Sequence, residues 1–548
     1  MYIHNLAQKF KLIANEFSDS TAVISKNASI TYGILDRQSD MLAAHFLSYG
    51  IQPGDVICIS GQKCISTIIC ILGALKAGAT YSVFDPESPI ERLSKIFRQC
   101  EPKLVLCSGN LVPGIKAIGF NAVDSTMVTT DSDIRTRDPS VTAHWQQITA
   151  NSPAYIMFTS GSTGFPKGAI MSHQNVLNLI AWSQQTFEIT AADVLTNVNP
   201  LFFDNSVFDL YSALFSGASL VLFDSETIRN PAKLMQLINE YKCTSWFSVP
   251  SMLIFLQAMH AFSPENMSHI KRIIFGGEGY PKAKLKELFD IYSSRAVLYN
   301  VYGPTECTCI CSSYKVSEDD FADLNGLLPL GQLAPNFDFL IVDEELQPVK
   351  PGQVGELILR GPNIGMGYFD DSDRTTLAFI QNPAHNEFRE FVYRTGDLVY
   401  IKPTDGKLYI VGRRDNQIKH MGYRIELEEI ENAFHGIDSA SRCVVVHCEI
   451  EGLSQIVAFV ESTNGSLGED SLKKRLQEII PNYMLPTRFQ FVDYLPKNAN
   501  GKLDRMKLKT DYLGQQMNNL AASSGVSQEE ILLTPQAAGN LPPKGLNG

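Results

Sequence analysis

Short apolar runs alternate with amphipathic stretches through the first four hundred residues. The runs DVICIS (55–60), KLVLC (103–107), AYIMFTS (154–160), SLVLF (219–223) and RIIF (272–275) have the length and composition of buried strands. Between them, TIICILGALKAG (67–78) and PAKLMQLINEYK (231–242) carry apolar residues at helical spacing. Strands separated by helices predict an α/β fold with mostly parallel sheets flanked by helices. From about residue 325 the pattern turns strand-rich and glycine-punctuated (QVGELILRGP, KLYIVGR), which predicts a small β subdomain. At 413–416 (RRDN) the texture changes again. Beyond it, ELEEIENAFHGI and EDSLKKRLQEIIP read as helices, and RCVVVHCEI and QIVAFVES as strands, a small α+β C-terminal domain. The expected division is 1–412, 413–512 and a polar, Pro/Gly-containing tail, 513–548, read as disordered.

At 548 residues and 60.7 kDa the chain is too long for one compact core, which agrees with more than one domain. A net charge of −12 lacks the clustered basic face of a nucleic-acid protein. It leaves room for a nucleotide held by local donors. The eleven cysteines include no paired CxxC motifs and read as reduced thiols, with Cys307, Cys309 and Cys311 alternating as half-buried strand positions would. No segment resembles a signal peptide or an apolar span of the roughly 20 residues a membrane requires. A soluble, cytoplasmic protein is expected.

Four segments carry chemistry. The loop Thr159-Ser160-Gly161-Ser162-Thr163-Gly164-Phe165-Pro166-Lys167-Gly168 follows a predicted buried strand. Its glycines and hydroxyls can wrap backbone N–H groups around phosphate oxygens, with Lys167 as a point charge. It is not the GxxxxGK[ST] loop, since Gly168 follows the lysine. Tyr302-Gly303-Pro304-Thr305-Glu306 combines a turn with a hydroxyl and a carboxylate suited to a metal–phosphate, although turn chemistry alone explains it equally well. In Tyr393-Arg394-Thr395-Gly396-Asp397 an acid at a strand end can accept from ribose hydroxyls, or merely cap a turn. Asn498-Ala499-Asn500-Gly501-Lys502 places a lysine on a turn near the chain end, where an exposed surface lysine is the plainer reading.

In this order, these segments closely resemble the adenylate-forming superfamily of acyl-CoA synthetases, firefly luciferase and nonribosomal peptide synthetase adenylation domains. Gly355 to Tyr368, Gly412 to Lys419 and His420 to Glu426 extend the resemblance, which covers about residues 5–510. It implies Mg²⁺ and ATP as cofactors. Ser160, Gly161, Ser162, Thr163, Gly164 and Lys167 would hold the phosphates with catalytic Thr159, and Glu306 the metal. Gly277, Glu278, Asn300, Tyr302, Gly303, Thr305, Asp397 and Arg413 would surround the nucleotide. Asp415 would be a hinge. Lys502 would bridge the attacking carboxylate and the α-phosphate. After rotation of the small domain, the Lys419–Tyr423 loop would face the site, with Gly422 leaving room for a pantetheine arm.

In the amino-acid-activating branch an acid at the position of Asp204 binds the substrate ammonium; the alternative is a helix N-cap for SVFDLYSALF. The resemblance lines the side-chain pocket with Asn205, Phe208, Phe247, Ile274, Gly276, Val301, Cys309 and Ile310, none of them charged. A small or medium uncharged amino acid follows, proline favoured, delivered to the phosphopantetheine of a separate carrier protein. A D-alanine–carrier-protein ligase, with which SWFSVPSM and QIKHMGYRIELEEIE share a resemblance, and an acyl- or aryl-CoA ligase are the enzymatic alternatives. An inactive binding module of the same fold is opposed by the intact Lys502, Glu306 and Asp397. Met1, at a plausible family start, favours a free-standing enzyme over an excised module.

Overall fold

A computed structural model describes residues 3–26, 28–126, 144–437, 442–450, 453–461, 468–497 and 503–524. Among them, a seven-stranded sheet is built at one end from the strands Thr80–Phe84, Val56–Ser60, Leu104–Cys107 and Ala122–Asp124, which run parallel with the last at the edge. Pro153–Thr159 joins them in parallel, and Lys167–Ser172 turns back antiparallel beside it. A nine-stranded sheet has the parallel core Val297–Tyr302, Arg272–Gly276, Ser245–Ser248, Val194–Asn197, Ser219–Leu222 and Thr21–Ser25. The expected α/β architecture is what the chain adopts.

Local chemistry accounts for the boundaries. Ser172 and Asn175 form a reciprocal capping box that starts helix His173–Thr186, and Asn230 caps a helix that opens on Pro231. The helices bury their apolar faces between the sheets in one large cluster running from Leu6 and Phe10 to Phe247 and Val301. An antiparallel sheet of Asp338–Val342, Gly355–Arg360, Phe391–Ile401, Phe379–Gln381 and Leu408–Arg413 forms the small β unit.

The C-terminal part is α+β. The strands Arg442–Ile450, Leu453–Glu461 and Arg488–Val492 form a sheet. Helices Leu427–Ile437 and Glu469–Leu476 pack on one face of it, and helix Arg505–Ser524 on the other. That last helix corrects the expected tail, since helix continues from 513 to 524. Leu508 and Tyr512 anchor it on Val444 and Phe459, and the following DYLGQQMNNLAASS has no proline to stop it. Residues 525–548 lie outside the described residues. No helix among the described residues is long and apolar enough to cross a membrane.

Two further expectations are corrected. Cys307, Cys309 and Cys311 do not alternate on a strand: Thr305–Cys307 is a 3₁₀ turn, Thr308 and Cys309 have φ of 63° and 72°, and all three thiols are buried. The turn has the same every-other-residue spacing in sequence but none of the pleat. Asp397 lies within the eleven-residue strand Phe391–Ile401 rather than at its end, next to a register shift at Leu398/Val399.

The chain order positions the site. From Val194–Asn197 the chain passes to the neighbour on one side, Ser219–Leu222, and then to the neighbour on the other, Ser245–Ser248. A crevice opens at such a reversal, beyond the carboxyl ends of the strands. Asn199 to Asp204, Val249, Gly277–Glu278 and Gly303–Glu306 all follow those ends.

Candidate active site

Three adjoining cavities occupy this crevice. One of about 440 Å³ is lined by Gly277, Glu278, Asn300, Tyr302, Asp397 and Arg413, together with Lys419 from the C-terminal side. A second, of about 50 Å³, is bounded by Asp204, Asn205, Gly303, Thr305, Lys419 and Gly422. A third, of about 230 Å³, lies over the glycine-rich loop, between Gly161, Ser162, Lys167 and Arg424. The first two share Gly277, Asp397, Arg413 and Lys419; the last two share Arg413 and Arg424.

The glycine-rich loop joins strand Pro153–Thr159 to strand Lys167–Ser172. Thr159 Oγ1 is buried without a hydrogen-bond partner among the described residues. Thr163 Oγ1 accepts from the Arg374 guanidinium. Burial, with the charge of Arg424, pulls the Lys167 ammonium down to about 8, against the opposing pull of Glu306 and Glu426 at 3.8 and 3.7 Å.

Glu306 is fully buried. Burial alone would raise its carboxyl, but the charges of Arg424 and Lys167 hold it well below the usual carboxylate range. Arg424 Nη1 donates to Glu306 Oε2 at 2.6 Å and Tyr368 Oη to Oε1 at 2.6 Å. An ionised carboxylate at this place suits a divalent cation. Among the described residues no group of three or more His, Cys, Asp or Glu could hold one, so the remaining ligands would be phosphate and water oxygens.

Both oxygens of Asp397 are engaged, by Tyr302 Oη at 2.5 Å and by Arg413 Nη1 at 2.7 Å. Arg413 also donates to Asp415 twice at 2.7 Å. Asp204 is half-buried, with helical backbone at the start of helix Asn205–Leu214, and its side chain makes no capping hydrogen bond. The N-cap alternative therefore lacks its defining contact. Burial pushes its carboxyl above the usual range, opposed by the Thr305 hydroxyl and the charges of Lys419 and Arg424.

Of the other residues expected to line the side-chain pocket, Val301 lines the 440 Å³ cavity. Phe208, Phe247, Ile274, Val301, Cys309 and Ile310 are buried, and the rings of Phe208 and Phe247 meet edge-on at 4.9 Å. Gly276 has no room for a side chain, because a Cβ there would lie 2.2 Å from the Val301 carbonyl oxygen. Behind Phe247, Asn199 donates to its carbonyl at 3.0 Å and to Asp209 at 3.0 Å, and Asn197 donates to Asp209 at 2.9 Å. Burial raises the Asp209 carboxyl to about 8.

The structure thus gathers Asp204, Asn205, Gly303, Thr305, Asp397, Arg413 and Lys419 around one centre. Lys502 lies outside the described residues. Glu278 lines the 440 Å³ cavity but spends its carboxylate on the backbone, accepting from Gly422 N at 2.6 Å and Ser251 N at 3.1 Å. At Gly422 φ is +85° and a Cβ would meet Val249 Cγ2 at 2.9 Å, so only glycine lets the hairpin Gln417–Glu426 come this close. Sequence reasoning missed Arg424, Tyr368, Arg92, Glu429 and the Asn197–Asp209–Asn199 network. The two asparagines and Asp209 flank Asp204 in NVNPLFFDNSVFD, and Tyr368, Arg424 and Glu429 lie in segments that carry the resemblance; Arg92 had no such signal.

Comparison with known proteins agrees with this geometry. A family described as AMP-binding enzyme matches residues 10–369, and the AMP-binding enzyme C-terminal domain matches 429–502. The chain is 31% identical over 517 residues to the dimodular nonribosomal peptide synthase of Bacillus subtilis, covering 93% of this chain and 21% of that protein. It is 31% identical over 500 residues to a D-alanine–D-alanyl carrier protein ligase of Listeria monocytogenes, covering 88% and 94%. Against a linear gramicidin synthase of Brevibacillus parabrevis the identity is 30% over 536 residues, 96% of this chain and 10% of that protein. The chain therefore spans only a small part of these large synthases. The structure of holo-PA1221, an NRPS protein containing adenylation and PCP domains, superposes with a TM-score of 0.80 at 26% identity, covering 92% of this chain and 84% of that one.

Proposed function

We propose a function from one premise: this chain belongs to the AMP-binding enzyme family. It activates a small or medium uncharged amino acid with ATP and Mg²⁺ as the aminoacyl-AMP, releases pyrophosphate, and passes the acyl group to the phosphopantetheine thiol of a carrier protein. The observation that carries this reading is the cavity that Asp204 lines together with Thr305, Asp397 and Lys419. A carboxylate beside the reacting centre costs free energy unless a cation joins it, and a substrate ammonium is such a cation.

In this reading the chain's own groups divide the work. The loop from Thr159 to Lys167 cradles the phosphates, with the buried, unpartnered Thr159 hydroxyl as one donor. Asp397 receives the ribose hydroxyls, held in place by Tyr302 and Arg413. Glu306 stays ionised and ready for the metal. Magnesium, when bound there, neutralises charge between the carboxylate and the phosphates. Lys502 approaches from the C-terminal part, 413–512, which turns against 1–412 about Asp415. With the hairpin Gln417–Glu426 turned to the crevice, Lys419 and Gly422 border the path of the thiol.

Proline is the favoured substrate. The edge-on Phe208–Phe247 pair and the sealed Gly276 support a short apolar side chain. D-alanine is a second reading, supported by the alignment that covers 94% of the D-alanine–D-alanyl carrier protein ligase. Amino-acid-dependent ATP–pyrophosphate exchange over the common amino acids and D-alanine tests the proposal. Exchange with one small amino acid is the expected result; exchange with fatty or aromatic acids only would replace it by a CoA-ligase reading.

A further inference from the structure

The C-terminal part brings two opposite charges into the crevice. Arg424, on the hairpin Gln417–Glu426, donates from Nη1 to Glu306 Oε2 at 2.6 Å. Glu429, on helix Leu427–Ile437, accepts from the backbone N–H of Gly161 in the glycine-rich loop at 3.2 Å through Oε2. Its Oε1 accepts from the Arg92 guanidinium. Arg92 and Glu429 are 6% and 3% exposed, so the pair is desolvated. The neighbouring contacts lock the same surfaces together: Ser160 Oγ donates to the Arg424 carbonyl at 2.7 Å and accepts from Glu426 N at 3.0 Å.

The pattern of charge is specific. A guanidinium occupies the carboxylate that suits a divalent cation, and a carboxylate occupies a loop N–H that suits a phosphate oxygen. We infer that Arg424 and Glu429 are positioning residues for thiol transfer: they stand in for magnesium and pyrophosphate once these have left, and so hold the C-terminal part in its transfer arrangement. The inference rests on the proposed function. Its consequence is mutual exclusion. Gly161 N–H has one proton to share between Glu429 and a phosphate oxygen, and a divalent cation on Glu306 would meet the like charge of Arg424, whose Nη1 lies 2.6 Å from Oε2. Magnesium pyrophosphate therefore opposes docking of the C-terminal part, and the thiol is admitted only after the first product is gone. An ordinary ion pair between Arg92 and Glu429 would stabilise the same arrangement without that exclusion.

Titration of magnesium pyrophosphate by calorimetry separates the two. The enzyme is first saturated with the sulfamoyl analogue of the aminoacyl-adenylate, which cannot revert to ATP. Glu429→Gln should bind pyrophosphate roughly tenfold more tightly than wild type, the scale of one charge-assisted hydrogen bond. The swap Arg92→Glu with Glu429→Arg restores an ion pair but leaves Gly161 N–H without an acceptor, so it too should bind pyrophosphate more tightly. Both variants should transfer the aminoacyl group to phosphopantetheine about tenfold more slowly, while pyrophosphate exchange, which also reports folding, stays within about twofold. Unchanged pyrophosphate affinity in Glu429→Gln, or wild-type affinity and transfer restored by the swap, overturns the inference. Absence of any amino-acid-dependent exchange in wild type overturns the function beneath it.

Discussion

Tyr302 Oη and Arg413 Nη1 grip the two oxygens of Asp397 from opposite sides, at 2.5 and 2.7 Å. The carboxylate is oriented before any ligand arrives, which removes reorganisation from the binding step. Asp397→Ala should raise KM for ATP in the exchange assay by about 10- to 100-fold, the range of one or two charged hydrogen bonds. Tyr302→Phe keeps the carboxylate and loses one of its holders, so its effect should be smaller and fall mainly on KM. A Tyr302→Phe enzyme with normal KM would show that Arg413 alone orients the acid.

Lys502 and Lys419 serve different half-reactions in the proposed mechanism. Lys502→Ala should slow adenylation by roughly 10²- to 10³-fold, the usual cost of one preorganised electrostatic contact, and still transfer from preformed aminoacyl-AMP. Lys419 borders both central cavities, and burial lowers its ammonium against the pull of Asp397. Lys419→Ala should slow transfer more than exchange. Equal loss of both half-reactions in each variant, followed by single-turnover assays, would contradict a two-arrangement mechanism.

The rings of Phe208 and Phe247 meet edge-on at 4.9 Å, and in the proposed function they wall the side-chain pocket. Phe247→Ala should admit larger apolar amino acids, shifting the ratio of kcat/KM values by about 1–3 kcal/mol per added methylene. The same change removes a fully buried ring and should lower stability by about 3–5 kcal/mol. Exchange panels and denaturant midpoints read the two effects separately.

His173 makes stability acid-sensitive. Its Nδ1 accepts from the Leu6 N–H at 3.1 Å, Nε2 is buried without a partner among the described residues, and burial lowers its pKa from 6.5 to about 3. The unfolded chain therefore takes up this proton first. The contribution is complete above pH 6.5 and is lost as pH falls toward 3, on the order of 4–5 kcal/mol in all. Denaturant midpoints should fall between pH 6.5 and 4, and His173→Gln should flatten that fall. Parallel pH profiles for the two proteins would exclude the histidine as the cause.

The architecture was legible where periodicity is long and local. AYIMFTS and RIIF could hardly be anything but buried strands, and the glycine-rich loop followed one of them directly. Asp204 stood out in its segment, and it lines the 50 Å³ cavity. What the sequence hid is contact across distance: Glu306 and Arg424 lie 118 positions apart, and Gly161 and Glu429 lie 268 apart. An arginine or glutamate on a helix or hairpin carries no local mark of a partner in another layer. The cysteine turn misled for the opposite reason, since Cys307, Cys309 and Cys311 have strand-like spacing in a segment that Thr308 and Cys309 twist into left-handed backbone.

The central claim is that the substrate enters as an ammonium paired with Asp204. Pyrophosphate exchange should be compared for the preferred amino acid and for the same carboxylic acid lacking its amino group, in wild type and in Asp204→Ala. The account predicts strong exchange only for the amino acid in wild type, and loss of it in the variant. Equal exchange with the des-amino acid, or undiminished exchange in Asp204→Ala, would contradict it.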